Sequence, residues 1–235
     1  MKNKVYFLSL GISFLIGSVH ADSMQTNQHI KIVPPAEFYG DLPSDFKKKI
    51  EKEARELKQK GYIEDNSKYP KELLGMAPNH AVRMYAAKKE NDDMKNDLVD
   101  IHMAFLNFNG ISFLPKNKII GFAPTGTWIK SGWTGIGEIF ANDYGGICTF
   151  TLLDLDLSGG SSSYNSDTVE YVINNKPSMI SVRGNKKMGF IYSVGWSSGN
   201  IDYNLSCANK LYNLSYKNRT IDLARRIDND LKITG

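Results

Sequence analysis

Residues that bind metals are scarce in this sequence. Only 2 cysteines and 4 histidines occur among its 235 residues. Three of the histidines, His29, His80 and His102, lie far apart along the chain, and there is neither an H-E-x-x-H motif nor a C-x-x-C pair. Structural and catalytic metal sites need such ligands at close, regular spacing. The sequence therefore predicts no metal site and no cofactor.

An excess of charge of one sign is also missing. The formal net charge is +4, and Lys2 and Lys4 near the N-terminus account for half of it. The other basic residues are spread along the chain or interleaved with glutamates, as they are between Lys47 and Lys60. Nucleic-acid-binding proteins instead concentrate Lys and Arg on one face. We expect no nucleic-acid partner.

Long apolar runs are absent outside the N-terminus. Residues 1–21 have the parts of a secretory signal peptide: two early lysines, an apolar stretch from Val5 to Ile16, and a small residue, Ala21, at the cleavage site. The apolar stretch is shorter than the roughly 20 residues that cross a membrane, which favours cleavage over an uncleaved anchor. The sequence predicts a secreted or periplasmic protein without a transmembrane segment after cleavage. Its abundant Asn, Lys and Ile indicate an AT-rich bacterial genome.

Motifs of the common enzyme classes are missing too. The sequence has no G-x-S-x-G motif, and the glycines of residues 132–137 lack the Lys and Ser/Thr of a phosphate-binding loop. Ser197 lies in a predicted turn, where serine is common for backbone reasons. Asp100 and His102 would share one face of a strand, which an exposed polar face explains more simply. We predict no serine hydrolase site.

The stretch between the two cysteines, Cys148 and Cys207, is rich in β-strand signals. Apolar residues alternate with small or polar ones through Met188–Trp196 and through Ile201–Cys207, with a turn signal between the two segments. Both cysteines lie on the apolar faces of their strands, as an inter-strand disulfide requires. We predict a Cys148–Cys207 disulfide that stabilises the fold by about 4 kcal/mol through chain entropy. The alternative is two separately buried thiols.

The start of this stretch breaks the alternation. Cys148, Phe150 and Leu152 share one face, whereas Leu153 and Leu155 lie on the opposite face. A β-bulge, or a strand covered on both faces, would explain the switch.

Helical signals lie on both sides of the strands. A narrow apolar stripe begins at Ser44 and ends at Gly61, and a second helical pattern covers Thr220–Leu231. Pro70 is suited to open a short helix between the first pattern and the strands. We therefore predict an α+β fold with N-terminal helices, a meander-like antiparallel sheet in the C-terminal half and a closing C-terminal helix.

The predicted organisation has four segments. The signal peptide, 1–21, is followed by a flexible N-terminal segment, 22–40, which is either a mobile tether or an arm packed on the surface. Residues 41–110 are mainly helical, although alternation in 99–105 favours a strand there; Leu98 and Leu106 also permit a helix. If the segment is a strand, Asn109-Gly110 is a hairpin turn after it. Residues 111–235 hold the antiparallel sheet and the terminal helix, in one compact unit with 41–110.

Seven glycines accompany large aromatic residues in the stretch 121–146. Short strands are expected near Lys118–Ala123 and Thr127–Lys130, with loops between them. Glycine allows close backbone approach and aromatic side chains supply rigid contact area, so the stretch is a candidate binding surface. The alternative is that the same side chains fill the core. The candidate binding residues are Trp128, Trp133, Phe140 and Tyr144.

Two carboxylates, Glu138 and Asp143, lie among these aromatic residues. Paired carboxylates beside aromatic side chains are what a glycoside hydrolase uses, so both are weak candidate catalytic residues. The prediction is nevertheless an exported, disulfide-stapled, non-catalytic binding protein of bacterial type, such as a secreted effector or virulence-associated factor. Its partner would be an unidentified protein or an envelope or glycan component. The alternative is a small secreted cell-wall or glycan hydrolase.

Overall fold

A computed structural model of the chain describes residues 29–40, 42–76, 111, 113–115 and 118–233, with side chains to Leu231. Its centre is an eight-stranded, mostly antiparallel sheet, and all of its strands except Ile63–Glu64 come from the C-terminal half of the sequence. Helices at the N-terminal side and one long C-terminal helix complete an α+β fold, as predicted.

The described elements follow one another in a simple order. The helices are α1 (Pro35–Gly40), α2 (Ser44–Lys60), α3 (Tyr69–Leu74), α4 (Leu155–Ser158) and α5 (Leu214–Ile233). The strands are β1 (Ile30–Val33), β2 (Ile63–Glu64), β3 (Ile119–Ile129), β4 (Gly132–Ala141), β5 (Ile147–Asp154), β6 (Ser162–Asn165), β7 (Glu170–Ile173), β8 (Lys176–Asn185), β9 (Gly189–Ser198) and β10 (Ile201–Asn209).

The large sheet consists of two meanders joined edge to edge. The strand order is β2-β8-β9-β10-β5-β4-β3, and β7 also pairs with β8. Strands β3 to β5 and β8 to β10 are each linked by antiparallel hairpins, and β5 pairs antiparallel with β10. Strand β2 adds to β8 in parallel, and a separate two-stranded sheet pairs β1 with β6, also in parallel.

The predicted disulfide is confirmed and lies at the junction of the two meanders. Cys148 of β5 is directly opposite Cys207 of β10. The sulfur atoms are 2.03 Å apart, and the Cα atoms are 4.0 Å apart. Both side chains are wholly buried. The covalent link therefore reinforces the strand pair that holds the sheet together.

Helices cover both faces of the large sheet. Helix α5 packs Tyr216, Leu223 and Ile227 on one face, and α3 places Leu73 against Ile139 and other residues on the opposite face. The larger core lies under α5 because the alternating apolar residues of five strands point there. The largest fully buried side chains include Trp196, Tyr192, Phe140, Phe150 and Phe190.

A buried carboxylate anchors α5 to the sheet. Asp228, 2 % exposed, accepts hydrogen bonds from Trp196 Nε1 at 3.1 Å and Asn174 Nδ2 at 2.7 Å, and it forms an ion pair with Lys176. Burial opposes ionisation of Asp228, but the hydrogen bonds from Lys176 and Asn174, with the charge of Lys176, hold its pKa below its usual value. The network ties the helix to β8 and β9.

Two predictions for the N-terminal part, the helix from Ser44 to Gly61 and the short helix at Pro70, agree with the structure. Helix α2 spans the predicted stripe and ends at Gly61, whose φ of +79° suits a helix end. Pro70 lies in the first turn of α3. Within the segment 22–40, the described residues 29–40 form β1 and α1.

Three local predictions differ from the structure. Of the two explanations for the alternation switch after Leu152, the bulge is absent from the described pairing. Leu152 packs in the larger core and Leu153 packs with a second cluster, so the end of β5 is covered on both faces. The strand then ends at Asp154, whose side chain accepts a hydrogen bond from Leu157 N and starts α4. The two short strands expected within 118–130 form one long strand, β3. Ser197 lies inside β9, and the turn follows at Gly199 and Asn200.

Some predictions lie outside the described residues. They are the signal peptide, the strand within 99–105 and the hairpin turn after it. Among the residues that are described, we find no helix both long and apolar enough to cross a membrane.

Candidate functional site

A β-bulge shapes the end of the β3–β4 hairpin. The register slips there, and Gly126 adopts a φ of +73°, a backbone region that favours glycine. The backbone N–H of Thr127 donates to the side-chain hydroxyl of Thr134, on the partner strand β4, at 2.8 Å. Beyond the bulge, Trp128 lies directly opposite Trp133.

The tryptophan pair, Trp128 and Trp133, forms an aromatic platform beside the turn. The rings meet edge to face with centroids 5.5 Å apart. Trp128 is 38 % exposed and Trp133 is half-buried. Exposed Lys130 and Ser131 in the turn supply a polar rim. Rigid aromatic surface with a polar rim is typical of contact sites for other molecules.

Among the described residues, Trp133 contacts Trp128 through its ring and makes no side-chain hydrogen bond. Its indole nitrogen is buried, and the described residues offer it no hydrogen-bond partner. A buried donor without an acceptor lowers stability. Because Trp128 is exposed and Trp133 is half-buried, the ring of Trp128 is the part of the platform that a partner can reach.

The other two aromatic candidates serve the core. Phe140 has no exposed surface and packs in the cluster under α5. Tyr144 is half-buried against Tyr216, with ring centroids 6.5 Å apart, and the guanidinium of Arg219 lies 4.6 Å from its ring. The structure thus brings Trp128 and Trp133 together and places Phe140 and Tyr144 elsewhere.

Glu138 is wholly buried on the same face of β4 as Ile136 and Phe140. Its Oε2 accepts a hydrogen bond from Ile111 N at 3.1 Å. Its Oε1 has no hydrogen-bond partner within the described part of the chain. Phe122 is its neighbour on β3. Within the described part of the chain, one carboxyl oxygen of Glu138 is therefore hydrogen-bonded and the other is not.

Burial raises the pKa of Glu138 from 4.5 to about 7. The hydrogen bond from Ile111 lowers the pKa, and the nearby charge of Asp230 raises it further. Because the desolvated carboxylate is unfavourable, Glu138 keeps its proton in mildly acidic solution.

We expect ionisation of Glu138 to make stability depend on pH. The folded pKa is higher than the unfolded one, so the stabilisation is fully present below about pH 4.5 and is lost as pH rises through about 7. Between pH 5 and 8, the unfolding free energy of the wild type should fall by about 2 to 3 kcal/mol more than that of Glu138→Gln. Urea unfolding at several pH values measures the difference.

Asp143→Asn is the matched control for this experiment. Asp143 is exposed in the turn after β4 and pairs with Lys118, and a surface ion pair contributes about 0 to 1 kcal/mol. Its substitution should leave the pH dependence unchanged. Parallel pH curves for wild type and Glu138→Gln would contradict the prediction.

The two candidate carboxylates occupy different environments. Glu138 is sealed in the core and Asp143 faces solvent beside a lysine. A glycoside hydrolase needs both groups on a cleft that admits the sugar.

Residues from 29 to 231 whose side chains are described include no group of three or more His, Cys, Asp or Glu that could hold a metal ion.

Sequence reasoning missed a second buried polar cluster. Tyr164 Oη lies 2.5 Å from Ser197 Oγ, which donates to Asp202 Oδ1 at 2.6 Å. Ser197 and Asp202 are direct partners across the β9–β10 hairpin. The turn signal in the sequence was enough to predict that Ser197 and Asp202 lie opposite each other. The approach of Tyr164 from β6 depends on tertiary packing, which the sequence pattern does not show. The cluster fastens β6 to the large sheet.

Comparison with known proteins gives no relative. No protein-family model matches the chain, and no curated protein or solved structure is significantly similar to it. The class that the fold defines is a disulfide-stapled α+β protein.

Proposed function

We propose that the protein is an exported, non-catalytic binding protein that contacts its partner through Trp128 and Trp133. The observation that carries the proposal is the exposed face of Trp128, held against Trp133 by the bulged hairpin. Large aromatic residues dominate binding energy at protein contact sites. They also stack on the apolar faces of sugar rings, so a protein or an envelope glycan suits the same platform.

The compartment is part of this proposal. A buried disulfide that joins two strands is typical of proteins in oxidising spaces such as the periplasm or the extracellular medium. The signal-peptide pattern of residues 1–21 points the same way. We place the protein in the periplasm or outside the cell, as an envelope component or a secreted effector.

Trp128→Ala should weaken partner binding without loss of the fold. Wild-type protein is expected to cosediment with purified peptidoglycan sacculi, and the variant's affinity should fall at least about tenfold, because truncating a central tryptophan removes on the order of 2 kcal/mol. Sedimentation over a range of protein concentrations gives both affinities.

Tyr171→Ala provides the matched control, because Tyr171 on β7 is 39 % exposed, almost the same as Trp128. It should bind sacculi as the wild type does. Equal losses in both variants would overturn the proposal. It would also be overturned if the wild type bound no sacculi and a variant with a photo-crosslinking residue in place of exposed Lys130, beside the platform, formed no adduct with envelope proteins.

The hydrolase alternative has one supporting observation. A carboxyl group with a pKa near 7, as burial gives Glu138, is the kind that serves as a general acid. Its complete burial keeps it from a glycan, which is why we place binding first. Release of soluble fragments from sacculi by the wild type, lost in Glu138→Gln, would favour the hydrolase.

A further inference from the structure

Two leucines protrude from the short connection between β10 and α5. Leu211 is 68 % exposed and Leu214 is 60 % exposed, and among the described residues they are the two most exposed large apolar side chains. A leucine that stands alone on a surface is common and needs no explanation. These two are three residues apart, so both enter solvent at the same corner of the fold. We call this pair the leucine tip.

The backbone of the leucine tip is firmly held. The hydroxyl of Tyr192, a residue 1 % exposed, donates to the carbonyl oxygen of Leu211 at 3.1 Å and accepts from Asn213 N at 2.6 Å. Leu211 N donates to the side chain of Asn209, and Ser215 N donates to that of Asn213. The leucines therefore cannot turn inward without breaking bonds to a core side chain.

Tyr212, which lies between the two leucines, packs into the fold. Its ring centroid is 5.0 Å from that of Tyr62 and 5.9 Å from that of Phe190. The connection thus uses its aromatic residue as an anchor and leaves its aliphatic residues in solvent.

Basic side chains surround the leucine tip. Lys210 begins the connection and is exposed. The β8–β9 turn contributes exposed Lys186 and Lys187. This turn lies beside the end of β10, because Phe190 at the start of β9 pairs with Asn209. Three exposed lysines therefore accompany two exposed leucines.

Few acidic side chains offset this charge. The chain has no Asp or Glu in residues 171–201 or 203–221, the two stretches that supply the β8–β9 turn and the leucine tip. Glu64 and Asp143, in neighbouring segments, are each paired with a lysine. Half-buried Asp65 can offset one charge. The surface around the leucines is positive and suits an anionic partner.

The composition of this surface fits a lipid bilayer better than a protein. Protein interfaces are enriched in Tyr, Trp and Arg and depleted of Lys, and Leu is under-represented among their energetic hot spots. A bilayer surface instead accepts aliphatic side chains into its apolar layer while lysines meet the anionic headgroups. Each contribution is weak alone, and the two together give stable attachment.

We propose that the leucine tip attaches the protein to an anionic membrane surface. Leu211 and Leu214 insert between the acyl chains, and Lys186, Lys187 and Lys210 contact the lipid phosphates. The attachment is peripheral, because only the side chains of the tip enter the bilayer.

The leucine tip and the tryptophan platform lie at opposite ends of the large sheet. Strand β10 begins at Ile201, which pairs with Asp154, and ends next to the tip. The hairpin of the platform is at the first of these ends, since Gly135 pairs with Leu153. A protein attached by the tip would hold its platform away from the membrane. The two surfaces can therefore be tested independently.

Cosedimentation of the exported protein with lipid vesicles tests the proposal. The wild type should bind vesicles made of equal parts phosphatidylglycerol and phosphatidylcholine, and added salt should weaken binding by screening the charges. Lys210→Gln should lower the affinity about fivefold, the contribution of one lysine near an anionic surface. Leu211→Ser/Leu214→Ser should lower it at least about tenfold, because two aliphatic side chains no longer leave water.

Leu157→Ser is the matched control, because Leu157 on α4 is also exposed and lies at the platform end of the sheet. It should bind vesicles as the wild type does, and urea unfolding confirms that each variant is folded. The leucine double variant should still bind sacculi as the wild type does, which separates this proposal from the one for the platform.

Three results would overturn attachment by the leucine tip. They are a wild type that binds no anionic vesicles, a wild type that binds vesicles of phosphatidylcholine alone equally well, and a leucine double variant that binds as tightly as the wild type. If the wild type binds no vesicles but forms a dimer or a protein adduct that the double variant loses, the tip contacts a protein and the membrane proposal is wrong.

Discussion

Protein that is refolded in the presence of reductant should be less stable than the native form by about 4 kcal/mol. The Cys148–Cys207 bond closes a loop with a sequence separation of 59, and the chain-entropy argument assigns about 4 kcal/mol to a loop of that length. Guanidinium unfolding of the oxidised and reduced forms measures the difference. Both cysteines are wholly buried, so the protein must first be unfolded for the reductant to reach them.

The double substitution Cys148→Ala/Cys207→Ala separates the bond from the packing of its sulfur atoms. Reduced wild type lacks only the covalent link, whereas the double variant also leaves space in the core and should be less stable again. If oxidised and reduced protein unfolded at the same denaturant concentration, the disulfide would contribute no net stability.

Asp228→Asn should lower the unfolding free energy by about 3 to 5 kcal/mol, the range found when one partner of a buried ion pair is removed. The amide keeps the shape of the carboxylate but places an N–H group among the donors Lys176, Asn174 and Trp196. Lys176 would then be mostly buried without its counter-charge. Urea unfolding followed by tryptophan fluorescence measures the loss.

Asp222→Asn is the matched control on the same helix. Asp222 pairs with Arg225 on the solvent face of α5, with its side chain 64 % exposed. Surface pairs of this kind contribute about 0 to 1 kcal/mol. A similar small loss for both variants would show that Asp228 does not anchor the helix.

The paired strands of the C-terminal half could be predicted because their side chains alternate without interruption. In β9 and β10, apolar residues recur at every second position, and a turn separates them. The same alternation placed Cys148 and Cys207 on apolar faces, which is why the disulfide was predictable. Helix α2 followed from its apolar stripe and from Gly61 at its end.

The errors occurred where one residue changes the local structure. Asp154 ends a strand and caps a one-turn helix. The change from strand to helix shifts the spacing of the apolar residues, and a β-bulge would shift it in the same way. In β3, Pro124 and Gly126 read as breaks, yet an edge strand tolerates proline and a bulge uses glycine.

The candidate site was predictable only in part. The alternation of Ile136, Glu138 and Phe140 on β4 already indicated one buried face, and it could have placed the Glu138 carboxyl in the core. The contact of Trp128 with Trp133 depends on the register of a hairpin whose bulge the sequence did not reveal. The approach of Tyr164 to Ser197 joins two strands that are not neighbours in sequence, and no local pattern predicts it.

The two parallel pairings set an order for the growing chain. Strands β1 and β2 each wait for a partner more than a hundred residues downstream, in β6 and β8. A chain that leaves the ribosome or crosses a membrane with its N-terminus first therefore cannot complete either pairing until β6 and β8 have emerged. Until then the backbone groups of β1 and β2 lack their strand partners, and such unpaired strands are sites where a growing chain can aggregate.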